Sequence, residues 1–222
     1  CRINKPPKKF KIMFSDANLP EPLVISEIEN PVRLVEIRKE DGIFFDSRFT
    51  DIRLIRAYIY DLLKKAAGNL PQGYHFVVYE AYRPMSAQIK LWDSVVAEQK
   101  KKHPRLPVDS EEFIAICDVF AANPYRQGSG HQSGASVDIS LIDDEGREYD
   151  MGGSVRGFDD TADFDCPHIS AEARRNREIL RDALSKCGLV NYPSEWWHYS
   201  FGDRLWARLT GSKLAIFGKL DK

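Results

Sequence analysis

Residues 128–141 read GSGHQSGASVDISL, a glycine- and serine-rich loop that runs into an alternating apolar segment. In a strand, alternate residues share a face, so Val137, Ile139 and Leu141 are expected to enter a core. Ser136, Asp138 and Ser140 then point the other way. His131 precedes Asp138 by seven positions, and Gly128, Gly130 and Gly134 give the loop the freedom to fold it back toward that strand. A second segment, EWWHYSF at 195–201, carries another histidine beside a glutamate and reads as a core strand.

The same reasoning orders the rest of the chain. VRLVEI at 32–37 alternates and predicts a strand. DIRLIRAYIYDLLKKAAG at 51–68 places Leu54, Ile55, Tyr58, Ile59, Leu62 and Leu63 at helical spacing, with Asp51 as cap and Gly68 as stop. YHFVVYEAYRP at 74–84 is β-branched and aromatic, then stops at proline, which predicts a strand running into a loop. Helices are expected from Ser86, over DSEEFIAICDVFA, and from the Ser170 cap to Gly188. WARL at 206–209 is expected to pair beside the last strand. Helices and short strands alternate without a regular βαβ rhythm, so the expected class is α+β, a small antiparallel sheet with flanking helices. Residues 1–30 hold four of the twelve prolines and little periodicity, which predicts an extended surface arm or tether ahead of a single domain at 31–222.

Composition narrows the function classes. Lys and Arg number 32 against 33 Asp and Glu, so no basic surplus points to nucleic acid. No apolar run approaches the roughly 18 residues that span a bilayer. Four cysteines at 1, 117, 166 and 187 form no C-x-x-C pair, which argues against a cysteine zinc site. Cys117 and Cys187 fall on apolar helix faces and are expected to behave as small buried hydrophobes. Cys1 followed by RINKPPKK resembles a bacterial lipoprotein after signal cleavage, which would place a lipid anchor at Cys1 and the protein in the periplasm or at the cell envelope; an arbitrary boundary and a cytoplasmic location are the alternative.

The chemistry rests on few residues. Of the five histidines, His75 lies inside a strand and His103 at a lysine-rich helix end, while His168 sits in a loop with no assigned role. His131, Asp138 and His198 supply two imidazoles and a carboxylate, an adequate set for a catalytic zinc that keeps a fourth position for water. Glu195, three residues before His198, suits a general base, and Trp196 and Trp197 would wall the site. Arg83 could steady a developing oxyanion, or pair with Glu80 or Asp93. No G-x-S-x-G elbow supports a serine nucleophile, and the glycine spacing does not match a phosphate loop.

SGHQSGASVD, EWWHY and EAYRP, in their order along the chain, resemble the zinc D-alanyl-D-alanine dipeptidases, the vancomycin-resistance dipeptidase family of peptidoglycan metallopeptidases, over about residues 74 to 202. The wider group includes D,D-carboxypeptidases and the hedgehog fold. The resemblance implies one zinc per chain on His131, Asp138 and His198, Glu195 as general base and acid, and Arg83 as transition-state clamp. It further implies Ser129 lining the substrate site and Asp159, in MGGSVRGFDD, anchoring the substrate's amino group. The expected substrate is D-alanyl-D-alanine or a related cell-wall peptide. A D,D-carboxypeptidase or other peptidoglycan hydrolase is the alternative, and a non-catalytic peptide-binding module a third reading. Oligomeric state is not implied.

Overall fold

The computed structural model describes residues 24–25, 32–126 and 128–220. The arm expected over 1–30 therefore lies outside the described residues, except for strand β1, Val24–Ile25, which pairs in parallel with β9, Leu214–Ala215. Two further short strands, β2 (Leu34–Glu36) and β4 (Leu54–Arg56), form an antiparallel ribbon.

The class is α+β, and its centre is a five-stranded sheet. The strands are β3 (Ile43–Phe45), β5 (His75–Glu80), β6 (Ser136–Ile142), β7 (Val190–Tyr192) and β8 (Glu195–Ser200), in the order β3-β5-β6-β8-β7. Three of its pairings are antiparallel, and the outer β3–β5 pair is parallel. Helices α1 (Ala57–Ala67) and α4 (Ala171–Ser185) pack on it; α2 (Met85–Lys102), α3 (Glu111–Asp118) and α5 (Arg204–Thr210) complete the fold.

The alternation in β6 sorts its side chains as expected. Val137, Ile139 and Leu141 are all fully buried in the main core, together with Leu63, Phe76, Leu180, Trp196, Trp197 and Tyr199. A second, separate core of Trp92, Phe113, Cys117 and Ala121 joins α2 to α3. Ser110 caps α3 by accepting the Phe113 N–H, and Ser170 caps α4 by accepting that of Ala173.

Three sequence expectations need correction. The helix predicted from Asp51 starts only at Ala57, because Leu54–Arg56 pairs with β2 and the Leu54 carbonyl also accepts the Tyr82 N–H. The run of apolar residues there serves two elements, a strand and then a helix, so its period misleads. WARL is helical rather than extended. Asp203 caps α5 by accepting the Trp206 N–H at 2.7 Å, and Gly211 ends it with a left-handed φ of 71°. Cys187 is half-buried, whereas Cys117 is fully buried as expected.

Candidate metal centre

Strand register brings the site together. In β6, Asp138 stands opposite Glu80 of β5 on one side and opposite His198 of β8 on the other. The three side chains form a row across the sheet. His131 arrives from a 3-10 turn over Gly130–Ser133. Two hydrogen bonds, one from the ring and one between backbones, clasp that turn to the segment after β5: the His131 Nδ1 lies 2.8 Å from the Ala81 carbonyl, and the His131 carbonyl accepts the Arg83 N–H at 3.0 Å. The turn closes at Gly134, whose φ of 68° is one that side-chain-bearing residues avoid. Gly130 is needed for a different reason. A Cβ there would stand 2.1 Å from both Asp203 Oδ2 and Ser136 Oγ, which are themselves hydrogen-bonded at 2.6 Å.

A carbonyl can only accept, so His131 carries its proton on Nδ1 and turns the Nε2 lone pair inward. That Nε2 is 3.3 Å from Asp138 Oδ1, and His198 Nδ1 is 3.1 Å from the same oxygen. Donor atoms of His131, Asp138 and His198 all lie within 4.8 Å of one another, and all three residues are buried. Bonds of ~2.1 Å to a tetrahedral ion would separate neighbouring donors by about 3.4 Å, so this spacing fits one small divalent ion. Burial holds the His131 imidazole below its usual pKa, leaving it neutral as a ligand must be. Burial opposes charge on Asp138, yet His131 and His198 outweigh it and keep the carboxyl well below the usual carboxylate range. For His198 burial works downward, but the bond to Asp138 prevails and the net shift is upward.

Glu195 Oε2 lies 3.8 Å from His198 Nδ1. Burial raises its carboxyl above the ordinary range, and nearby Asp138 adds to the rise while His198 works against it. A carboxyl so raised is suited to taking and returning a proton. Arg83 does pair with Glu80, through Nε at 2.8 Å and through Nη2, while its Nη1 donates to Gln88 Oε1 at 2.7 Å. That pairing aims the cation rather than removing it from the site, since its charge still interacts with Asp138 and Glu195.

The other expected residues occupy distinct places. Ser129 accepts the His131 N–H at 3.3 Å, and its own N–H donates to Gln132 Oε1 at 3.0 Å, so it shapes the turn that presents His131. Asp159 is exposed in the loop after Met151, where its Oδ1 accepts from the Thr161 N–H and hydroxyl at 2.8 and 2.5 Å. Both tryptophans are buried: Trp196 lies under the Arg177 guanidinium, and Trp197 meets Phe158, which in turn meets Phe120 after α3.

Two polar residues were not anticipated as parts of the site. Glu80 belongs to EAYRP and was legible only as a partner for Arg83. Arg156, the middle of MGGSVRGFDD, donates to Glu80 Oε2 and reaches Asp138 Oδ2 from Nε and Nη2 at 3.3 Å each. Burial pulls its guanidinium down to about 10, while the charge of Glu195 supports it.

A family model described as D-ala-D-ala dipeptidase matches residues 52–212. The chain belongs to the D-ala-D-ala dipeptidase family of peptidases. Among curated relatives, a D-alanyl-D-alanine dipeptidase of Synechocystis is 27% identical over 72% of this chain and 75% of its own. One of Escherichia coli is 31% identical over 57% of this chain and 55% of its own. Among solved structures, VanYB in complex with D-Alanine-D-Alanine superposes with a TM-score of 0.44 at 19% identity, covering 87% of this chain and 93% of that one. All four residues of the centre fall inside the matched region of this family member, as do Arg83 and Arg156.

Proposed function

We propose that this peptidase hydrolyses D-alanyl-D-alanine as a zinc enzyme, with His131, Asp138 and His198 holding the ion and Glu195 moving the proton. The observation that carries the reading is the buried three-donor group with a carboxyl of raised pKa beside it. The names of the family and its curated relatives support the dipeptide as substrate. Zinc bound there would polarise the scissile carbonyl and lower the pKa of a water. Glu195 takes the proton from the attacking water and delivers it to the departing amine. Arg83, fixed by Glu80 and Gln88, faces charge that develops on the carbonyl oxygen. Asp159 anchors the ammonium group, which sets the cleaved bond one residue from the amino end.

The test is release of D-alanine from D-alanyl-D-alanine by purified protein, with and without a chelator. Metal-dependent release is expected, along with poor turnover of N-acetylated peptide. Efficient cleavage of the acetylated peptide would assign the site to a carboxypeptidase instead. Glu195→Gln is expected to lower kcat by about 10²–10⁴ while one zinc per chain remains. Loss of zinc in that variant would make Glu195 a ligand rather than a base.

A further inference from the structure

We propose that Arg156 is the specificity-determining residue that receives the carboxylate of the substrate's second residue. The inference rests on the dipeptidase reading above and adds to it which group of this chain reads the far end of the dipeptide.

The geometry is unusual for a surface-loop arginine. Among the described residues Arg156 is the one non-glycine with a left-handed backbone, at φ 61°. Such a conformation is costly for a residue with a side chain and persists where its surroundings demand it. Here it turns the side chain inward. The guanidinium lies against the Phe49 ring, 4.6 Å from its centroid, which supports the planar cation from one side. Its Nε and Nη2 are spent on Glu80 and Asp138. No hydrogen bond of Nη1 occurs among the described residues, so two charge-bearing N–H groups remain beside the metal ligands.

Arg83 is not placed for this task. Its guanidinium is held bidentately by Glu80 and by Gln88, and its side chain is 9% exposed. The Arg156 side chain is 20% exposed and forms the open wall of the same cluster. Arg156 is thus the more exposed of the two cations that face this buried group of carboxylates. Arg156 stands three positions before Asp159 in the same loop.

The experiment compares D-alanyl-D-alanine with its C-terminal amide, which lacks the carboxylate charge. Both are titrated calorimetrically into zinc-loaded Glu195→Gln protein, with and without Arg156→Ala, and both are assayed kinetically on the Glu195-containing chain. The acid is expected to bind about 10- to 100-fold more tightly than the amide, as a charge-assisted contact implies. Arg156→Ala should bring the two ligands within about twofold of each other, with the loss in KM for the acid. Arg156→Lys, which keeps charge but not the planar fork, should restore part of the preference. A purely structural role would lower binding and kcat for both ligands alike and leave their ratio intact; that result overturns the inference. An absence of acid preference in the Arg156-containing protein overturns it as well. If neither ligand is hydrolysed yet the acid is preferred through Arg156, the dipeptidase reading fails while this one stands.

Discussion

Glu80, Asp138 and His198 stand side by side because three strands share a register, whereas Arg156 and Asp159 are presented by a loop that has no ladder to hold it. Backbone bonds tie its far end to the turn before β8 and to the start of β8, Phe164 N–H to the Pro193 carbonyl at 2.8 Å and Trp196 N–H to the Ala162 carbonyl at 2.9 Å, and one side chain gathers it from behind. Arg177 of α4, fully buried, donates to the carbonyls of Met151, Thr161 and Asp163 at 2.7 Å and of Phe164 at 3.1 Å. Asn176 beside it donates to the Asp150 carbonyl at 2.9 Å. Thus the three-donor group is tied to backbone pairing, which cannot shift without moving a strand, and the 151–165 loop chiefly to side-chain donors from α4 with two backbone bonds at its far end. Ligands to an ion need positions fixed to a fraction of an ångström, and the sheet supplies that.

That contrast can be broken most severely at Arg177. Arg177→Met keeps much of the apolar stem but leaves four carbonyls without their donor, at a cost of about 3 kcal/mol or more. Urea unfolding should show the loss, and limited proteolysis should cut within 152–165 first. Zinc content at fixed folded fraction should change little, since no ligand sits on that loop. Parallel loss of zinc affinity would show that the two sides are not separately held.

A smaller effect is expected from Gly130→Ala, which attacks the sheet side. The new methyl must part the Ser136–Asp203 hydrogen bond or move the turn that carries His131. Overpacking of this kind costs about 1–3 kcal/mol. Because the turn presents a ligand, zinc affinity should fall together with stability, and dialysis against graded chelator would read it. Unchanged affinity would mean that the turn is held by the Ala81 and Arg83 links alone.

The smallest effect belongs to a partly exposed ion pair, Asp46 with Arg48. Arg48, through its bond to Asp46, holds the Asp46 carboxyl below the usual range. A depressed carboxyl contributes stability above its unfolded pKa and loses it as pH falls through the folded value. Asp46→Asn should therefore lower the urea midpoint slightly at pH 7 and not at pH 2. An equal loss at both pH values would show that the bond to Arg48 is not the source.

Much of this was legible in the linear chain. The alternation of β6 correctly separated Asp138 from Val137 and Ile139, and EWWHYSF correctly read as a core strand with a histidine and an acid. The failures have a common origin. Leu54 and Ile55 fit a helical stripe as well as a strand, and only pairing with Leu34–Glu36 decided between them. WARL lacks any feature that excludes a strand until Asp203 is recognised as a cap. Arg156 carried no local signal, because neither its backbone conformation nor its neighbours Glu80 and Asp138, 76 and 18 positions away, follow from the residues around it.

The residue types at 131, 138, 195 and 198, and the face each takes on its own strand or turn, were determined by the sequence, because period and turn chemistry act over a few residues. Which strand lies beside which was decided only by tertiary structure. Hydrogen-bond register joins segments 58 to 60 positions apart, as in the Asp138–Glu80 and Asp138–His198 pairs, and no local pattern encodes it. That register turned three separate motifs into one row, and long-range ion pairs to Glu80 and Asp138 brought Arg156 beside it.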